Sequence, residues 1–440
     1  MSTKPFATSF RALVLLALLL PTAAQALPLI QHWTLKNGVR VYFIASPSVP
    51  IVDMALTFDA GSARDPRQLQ GLAMLTNSLL GHGAGAWDTG TINRREDDLG
   101  LAVGQGSGRD MAGISADLLS RPQVRRRAVR LLAQIITHPT FPQAALLRKR
   151  RQALLGLRFT QQSLGATADR AFYPLVYGRH PYGQHPQGTR ATLQNIRRRD
   201  IQNFYQTYYV GRNASLAIVG NLSVQQAHRF AEGLAGALPP GNAPPALPPV
   251  PELMHGITRK IPFHSVQTQI LIGAPCAARG DPDTYALMLG NYILGGDPLE
   301  SRLGIAIRQK RALSYTTYSS FSLMQRPGPF VVGVLTRNDQ RDRALAVARR
   351  TLEHYIQSGP SHEELVAAKR YITGSFPLGI DSDGKLLSDL STIGFYRLPL
   401  DYLSRFIPAI QAVTRTQVRD ALRRHLHPDH MVTLLVGGGG

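Results

Sequence analysis

The sequence predicts an α+β fold: two homologous mixed α/β domains, each an antiparallel-rich sheet packed with helices, arranged as a clam shell. Three observations lead there. The chain has 440 residues, too many for one ordinary core and suited to two domains of about 200 residues each. Pro and Gly crowd Leu238-Pro-Pro-Gly-Asn-Ala-Pro-Pro-Ala-Leu-Pro-Pro249, a stretch that holds neither helix nor central strand and reads as a semi-rigid linker. The segments after this break repeat the plan of those before it, and short strands closing in Val219-Gly220 and Val436-Gly437 end both halves, a sign of internal duplication. The expected division is a leader over 1–26, an N-terminal domain over 27–238, a linker over 239–251 and a C-terminal domain over 252–440.

Taken in order, residues 33–43 alternate in polarity on either side of Asn37-Gly38, the strongest short signal for a hairpin. Val52 to Ala60 reads as a third strand, ended by Gly61-Ser62. Residues 68–80 place Leu69, Leu72, Ala73, Leu75, Leu79 and Leu80 at helical spacing. Helices are expected over 121–136 and 141–163, and a buried strand over 214–219. In the second half, 267–273 reads as strand, 283–294 as helix, 330–335 as strand, 340–357 and 361–374 as helices, and 431–436 as the last strand.

The first residues carry Lys4 and Arg11, a short apolar run from Ala12 to Leu20, and Ala24-Gln25-Ala26. This pattern reads as a cleaved secretory leader with the mature chain starting near Leu27, and it places the protein in the periplasm. No segment reaches the roughly 18 apolar residues of a spanning helix, so no stable membrane anchor is expected. Cys276 is the single cysteine, which excludes an intramolecular disulfide.

The formal charge is +21, with basic clusters at 125–127, 148–151 and 197–199. Nucleic acid is not the expected partner. The leader removes the chain from it, and the clusters carry little interleaved aromatic. Solvated helix faces account for most such charge, and an acidic partner, peptide or anionic membrane surface would use it.

Several segments, in order and spacing, resemble the pitrilysin/insulysin-type (inverzincin) metallopeptidases, in particular the short members of the mitochondrial-processing-peptidase kind. They are Leu35-Lys-Asn-Gly-Val-Arg-Val41, Phe58-Asp-Ala-Gly-Ser62 followed by Gly71-Leu-Ala73, Tyr177-Gly-Arg-His-Pro-Tyr-Gly183, Ala217-Ile-Val-Gly-Asn221, and Asn291-Tyr-Ile-Leu-Gly-Gly296 followed by Ser301-Arg-Leu303. The resemblance covers nearly the whole mature chain. It implies a helix bearing His-x-x-Glu-His, whose two imidazoles hold Zn²⁺ while the glutamate acts as general base, with a second glutamate further on completing the ligands.

Here that motif is degenerate. Met74 and Ser78 stand at the histidine positions, Asn77 at the base, and Gly156 where the distal glutamate belongs. A thioether and a hydroxyl are poor zinc ligands, and an amide cannot take a proton from water. His82 stands alone in a Gly-rich turn. His180 and His185 flank Pro181 and Gly183 and share no helix face. No cofactor is therefore expected in this chain.

In the second half the resemblance implies an arginine and a tyrosine, seven apart, that bind the peptide and steady the reacting carbonyl. Arg308 and Tyr315 match them. Guanidinium donors suit carbonyl or carboxylate oxygens, and a phenol can donate to a developing oxyanion. Some family members work as heterodimers with zinc on one subunit and this pair on the other. The expected function is thus the non-catalytic, substrate-binding subunit of a periplasmic zinc peptidase, inactive alone, whose zinc lies on a paralogous partner bearing His-x-x-Glu-His. The alternative is a non-enzymatic peptide-binding or complex-assembly protein. A self-sufficient peptidase with an unrecognised metal site is a third reading.

Overall fold

The computed structural model describes residues 29–439, so the expected leader lies outside the described residues. The strands are β1 Gln31–Thr34, β2 Arg40–Ala45, β3 Ile51–Phe58, β4 Gly83–Ala84, β5 Trp87–Asp88, β6 Ala102–Ser107, β7 Ala112–Leu119, β8 Ala214–Gly220, β9 Ile257–Ile261, β10 Gln267–Pro275, β11 Thr316–Phe321, β12 Pro329–Arg337 and β13 Val432–Val436. They form a six-stranded sheet, β1-β2-β8-β3-β7-β6, a five-stranded sheet, β11-β12-β10-β13-β9, and the small hairpin β4-β5. In both large sheets one parallel pair, β2 with β8 and β9 with β13, is followed by three antiparallel pairs. The second sheet therefore repeats β2-β8-β3-β7-β6 as β9-β13-β10-β12-β11, and β1 is the addition in the first.

Period-2 alternation gives each strand two faces, and both faces of each sheet are covered. Val52, Met54, Leu56 and Phe58 of β3 join a core with the helices Pro122–Thr137, Arg198–Tyr208 and Val224–Ala235. The opposite face, through Tyr42, Ile44, Ala217 and Val219, packs on Leu386, Leu390 and Ile393. Those belong to the helix Asp383–Tyr396, which comes from the other half. The exchange is reciprocal. Ala168, Phe172 and Val176 of the helix Leu164–Tyr177 pack on Leu271, Leu434 and Val436 of the second sheet. Each half thus closes on the other by lending it a helix. Gly394 permits one of these approaches, because a Cβ there would meet Ser215 Oγ at 2.5 Å and the Tyr42 ring at 2.7 Å.

Two expected elements differ in extent. The helix expected over 68–80 is a 3₁₀ turn, Arg67–Leu69, and a separate helix, Leu72–Ser78. Gly71 between them has φ +93°, a left-handed conformation that breaks the α-helix and that glycine adopts without strain. The helix expected over 283–294 is Thr284–Asn291, continued by a π-helical turn, Tyr292–Gly296.

The Pro-rich stretch has no regular structure, as its composition requires, but it is strapped down. Pro239 and Pro240 accept the N–H groups of Gly211 (2.7 Å) and Arg212 (3.0 Å). Pro245 accepts Arg64 at 2.7 Å, and Leu247, buried, accepts Arg326 Nε at 2.7 Å.

Candidate functional site

The four positions matched to the zinc motif sit on two neighbouring helices of the N-terminal half. Leu72–Ser78 begins where the buried Asp65 carboxylate accepts the N–H groups of Gly71 (2.7 Å) and Ala73 (2.8 Å). Burial pushes that carboxyl up to about 8, while these backbone donors pull it down. Met74, Asn77 and Ser78 share one face of the helix. Met74 packs on the apolar core. Ser78 Oγ donates back to the Leu75 carbonyl at 3.0 Å.

Asn77 is 2% exposed, and its amide is fully used. Nδ2 donates to the carbonyls of Gly106 (2.9 Å) and Gly113 (3.1 Å), and Oδ1 accepts the Tyr209 hydroxyl (3.1 Å). The position that carries the general base in the resembled family is here a clip between the helix and strands β6 and β7. Gly156, on the helix Gln143–Gln162, is exposed and has open space where a side chain would stand. Neither an imidazole nor a carboxylate is offered at any of the four, so these residues do not fit a zinc ion.

The histidines do not replace the set. Burial pushes His82 down to about 4, with Lys149 and Arg148 adding to the effect, so it is neutral at pH 7. His180 spends both nitrogens: Nε2 donates to the Pro248 carbonyl (3.1 Å) and Nδ1 accepts the Tyr182 N–H (3.1 Å). One cluster was not readable from spacing. Asp281, Asp283 and His425 bring their ligand atoms together in the C-terminal half, far apart in sequence. Arg424 takes Asp283 through two bonds (2.9 and 2.7 Å), and His425 Nε2 lies 3.0 Å from the same carboxylate. That carboxylate is already answered by an ion-pair network. Cys276 packs beside the core, and burial pushes its thiol up to about 12, as expected of an inert packing residue.

Arg308 and Tyr315 do come together. Arg308 lies in a π-helical turn, Gly304–Gln309, and its guanidinium carbon sits 5.9 Å from the centre of the Tyr315 ring. The segment between them is anchored. Leu313 is buried, and its carbonyl accepts Thr336 Oγ1 at 2.6 Å. Ser314 Oγ donates to the Leu335 carbonyl at 2.5 Å and accepts the Thr316 N–H at 3.0 Å. With its stem fixed, Tyr315 still stands 80% exposed, immediately before β11. It borders a cavity of ≈ 450 Å³ whose rim carries Arg311, Arg337 and Arg343. All residues lining that cavity belong to the C-terminal half, and among the described residues no hydrogen bond joins the pair to Met74, Asn77 or Ser78.

The segment around Tyr182 gains a role that its sequence did not show. Asp110, buried, accepts the hydroxyls of Tyr182 (2.6 Å) and Tyr396 (2.9 Å) and the Gln325 N–H (2.8 Å). The last two partners come from the other half. Burial raises the Asp110 carboxyl, and these three donors hold it down. Tyr182 Oη in turn accepts the Arg326 N–H at 3.0 Å, and Tyr177 donates to the Pro327 carbonyl at 3.1 Å. Asp110 is therefore the hub that locks the halves together.

Residues 40–185 match the family described as Insulinase (Peptidase family M16), and residues 195–372 match the Peptidase M16 inactive domain. The crystal structure of a peptidase M16 inactive domain from Pseudomonas fluorescens is 34% identical, with a TM-score of 0.89 over 93% of this chain and 97% of that one. The chain belongs to peptidase family M16. Similarity to an uncharacterized zinc protease, YmxG, of Bacillus subtilis is 22% identity over 93% of this chain and 99% of that protein. A Helicobacter pylori non-peptidase homolog, also YmxG, is 21% identical over 90% and 91% of the two chains. Within the family, this chain is an inactive peptidase-like homologue, since Met74, Asn77, Ser78 and Gly156 supply no catalytic zinc site.

Proposed function

We propose that this chain is the substrate-binding subunit of a periplasmic zinc peptidase heterodimer, and that a paralogue with an intact His-x-x-Glu-His supplies the metal and the general base. The observation that carries the reading is the contrast within one chain. Met74 and Asn77 are absorbed into packing and hydrogen bonds, and Gly156 offers no side chain, whereas the side chains of Arg308 and the exposed Tyr315 stand together with no hydrogen-bond partner among the described residues. In the proposed complex Arg308 donates to substrate carbonyl or carboxylate oxygens. The Tyr315 hydroxyl donates to the oxyanion that forms on the partner's zinc side.

Strand β11 pairs only with β12 among the described strands, so its free edge can receive an extended peptide beside Tyr315. The arginine rim and the charge of +21 favour an acidic partner surface or substrate. Among the described residues no helix is long and apolar enough to cross a membrane, and the periplasmic assignment rests on the leader pattern over 1–26.

The test is to mix the mature chain with a zinc-bearing relative and follow cleavage of a quenched-peptide library. Activity on mixing, lost with Arg308→Ala and Tyr315→Phe, is the expected result. Full activity of the mixture with both substitutions in place would refute the assignment. Peptide binding with no hydrolysis in any mixture would instead favour a binding or assembly role.

A further inference from the structure

A cavity of ≈ 1260 Å³ opens between the two halves, bounded by the end of β2, strands β3 and β7, and the turn leading into the helix Asp383–Tyr396. Much of its wall is apolar, including Ile44, Val49, Phe376 and Ile380. Four carboxylates line it as well: Asp381, which is paired with Lys385, and three that have no cation among the described residues, Asp53, Asp117 and Asp383. Asp53 and Asp117 are directly opposed across β3 and β7, and like charges in that relation destabilise a strand pair.

Asp53 is only 8% exposed, yet it has no hydrogen-bond or ion-pair partner among the described residues. Asp383 uses one oxygen to accept the Ser46 hydroxyl at 2.7 Å, and its other oxygen is buried without a partner. The nearby basic group, Lys385, is taken by Asp381 at 2.8 Å. On its other side Asp53 faces Val219 of β8, which brings no charge. Asp53, Asp117 and Asp383 thus form an acidic wall that no ion pair answers among the described residues, in a chain whose overall charge is +21.

An unpaired buried carboxylate is costly, so such a site takes up either protons or a cation. Burial, then Asp117 and Asp383, push the Asp53 carboxyl up to about 6, so at neutral pH Asp53 is mostly ionised. A single metal ion is a poor fit. The three carboxylates are not among the groups close enough to share one, and the space far exceeds an ion.

We propose that this cavity binds an organic cation: an alkylammonium or alkylguanidinium group carried on an apolar stem. Asp53, Asp117 and Asp383 surround the charge, and the apolar wall covers the stem. The positive surface of the protein does not forbid this, because charges beyond about 8–10 Å are screened at physiological salt. The chemistry can come from a basic side chain of a peptide or from a free polyamine. The site involves neither Arg308 nor Tyr315, so it stands or falls apart from the peptidase-subunit reading.

The test is calorimetric titration of the mature chain with agmatine, with the peptide acetyl-Leu-Arg-Leu-amide, and with its citrulline counterpart. Saturable binding of at least one cationic probe is expected, weakened about tenfold or more in the neutral counterpart or by Asp53→Asn. The same substitution is expected to raise the thermal midpoint, because it removes a like charge from the cluster, so lost binding cannot be put down to misfolding. Asp117→Asn, at a more exposed position, is the second variant and should weaken binding in the same direction. Tighter binding of the peptide assigns the site to a side chain, and tighter binding of agmatine assigns it to a free amine. No saturation by about 1 mM, equal binding of the citrulline peptide, or unchanged binding in both variants overturns the proposal.

Discussion

Replacing Asn77 by Ala leaves three polar groups without their partner: the carbonyls of Gly106 and Gly113 and the hydroxyl of Tyr209. Gly106 is exposed and can recruit water, but Tyr209 is fully buried. Leaving a buried polar group unsatisfied costs about 1–3 kcal/mol. Counting the half-buried Gly113 carbonyl and the Tyr209 hydroxyl as the main losses, the substitution should cost about 2–6 kcal/mol, with each kcal/mol worth about 2–4 °C in the unfolding midpoint of a unit of about 200 residues. Asn77→Asp is nearly isosteric but should be worse than Ala. It loses both donors and turns a buried carboxylate toward two carbonyl oxygens. The assay is urea and thermal unfolding of the three proteins, followed by circular dichroism. A position still suited to a catalytic acid or base would tolerate Asp. An Ala variant within about 0.5 kcal/mol of wild type, or an Asp variant more stable than Ala, would refute the clip.

Asp110→Ala should cost about 3–5 kcal/mol, since it breaks a buried network holding both halves, and should speed proteolysis within 239–256. Asp110→Asn should cost less, because burial already disfavours the charge and an amide oxygen still accepts. Asp53, with its folded value raised to about 6, holds its proton more tightly folded than unfolded. Its contribution is therefore present at low pH and lost as pH rises from about 4 through 6, by up to about 2 kcal/mol after screening by solvent in the cavity. His82, lowered to about 4, works in the opposite sense, its contribution lost as pH falls below about 6.5. The difference between wild type and Asp53→Asn across pH 4–7 isolates the first slope. Tyr315→Phe should change stability by less than about 0.5 kcal/mol, given its exposure, and should act only on the mixed complex.

Local signals made part of this fold legible. Asn37-Gly38 marked the β1-β2 hairpin, the apolar runs marked β8 and β13, and helical spacing found Pro122–Thr137 and Gln143–Gln162. The edge strands β6 and β11 escaped, because Ala-Val-Gly-Gln-Gly-Ser and Thr-Thr-Tyr-Ser-Ser-Phe carry no clear alternation of apolar residues. The exchanged helices Leu164–Tyr177 and Asp383–Tyr396 were hidden for another reason. The sheet that each covers lies in the other half, so no local pattern reports it. At the site, Met74, Asn77, Ser78, Gly156, Arg308 and Tyr315 were assigned by register with the family alone. It could not show that Asn77 had become part of the core. The Asp53–Asp117–Asp383 wall is assembled from three separate elements, two of them paired across a sheet, and only the fold brings them to one cavity.

The most direct test of the central claim is elemental analysis of the purified mature chain for zinc, with peptide hydrolysis measured in the same tubes, alone and after adding a His-x-x-Glu-His relative. The account predicts no bound zinc and no hydrolysis by the chain alone, and zinc-dependent hydrolysis on mixing. Stoichiometric zinc with hydrolysis by the chain alone would contradict it.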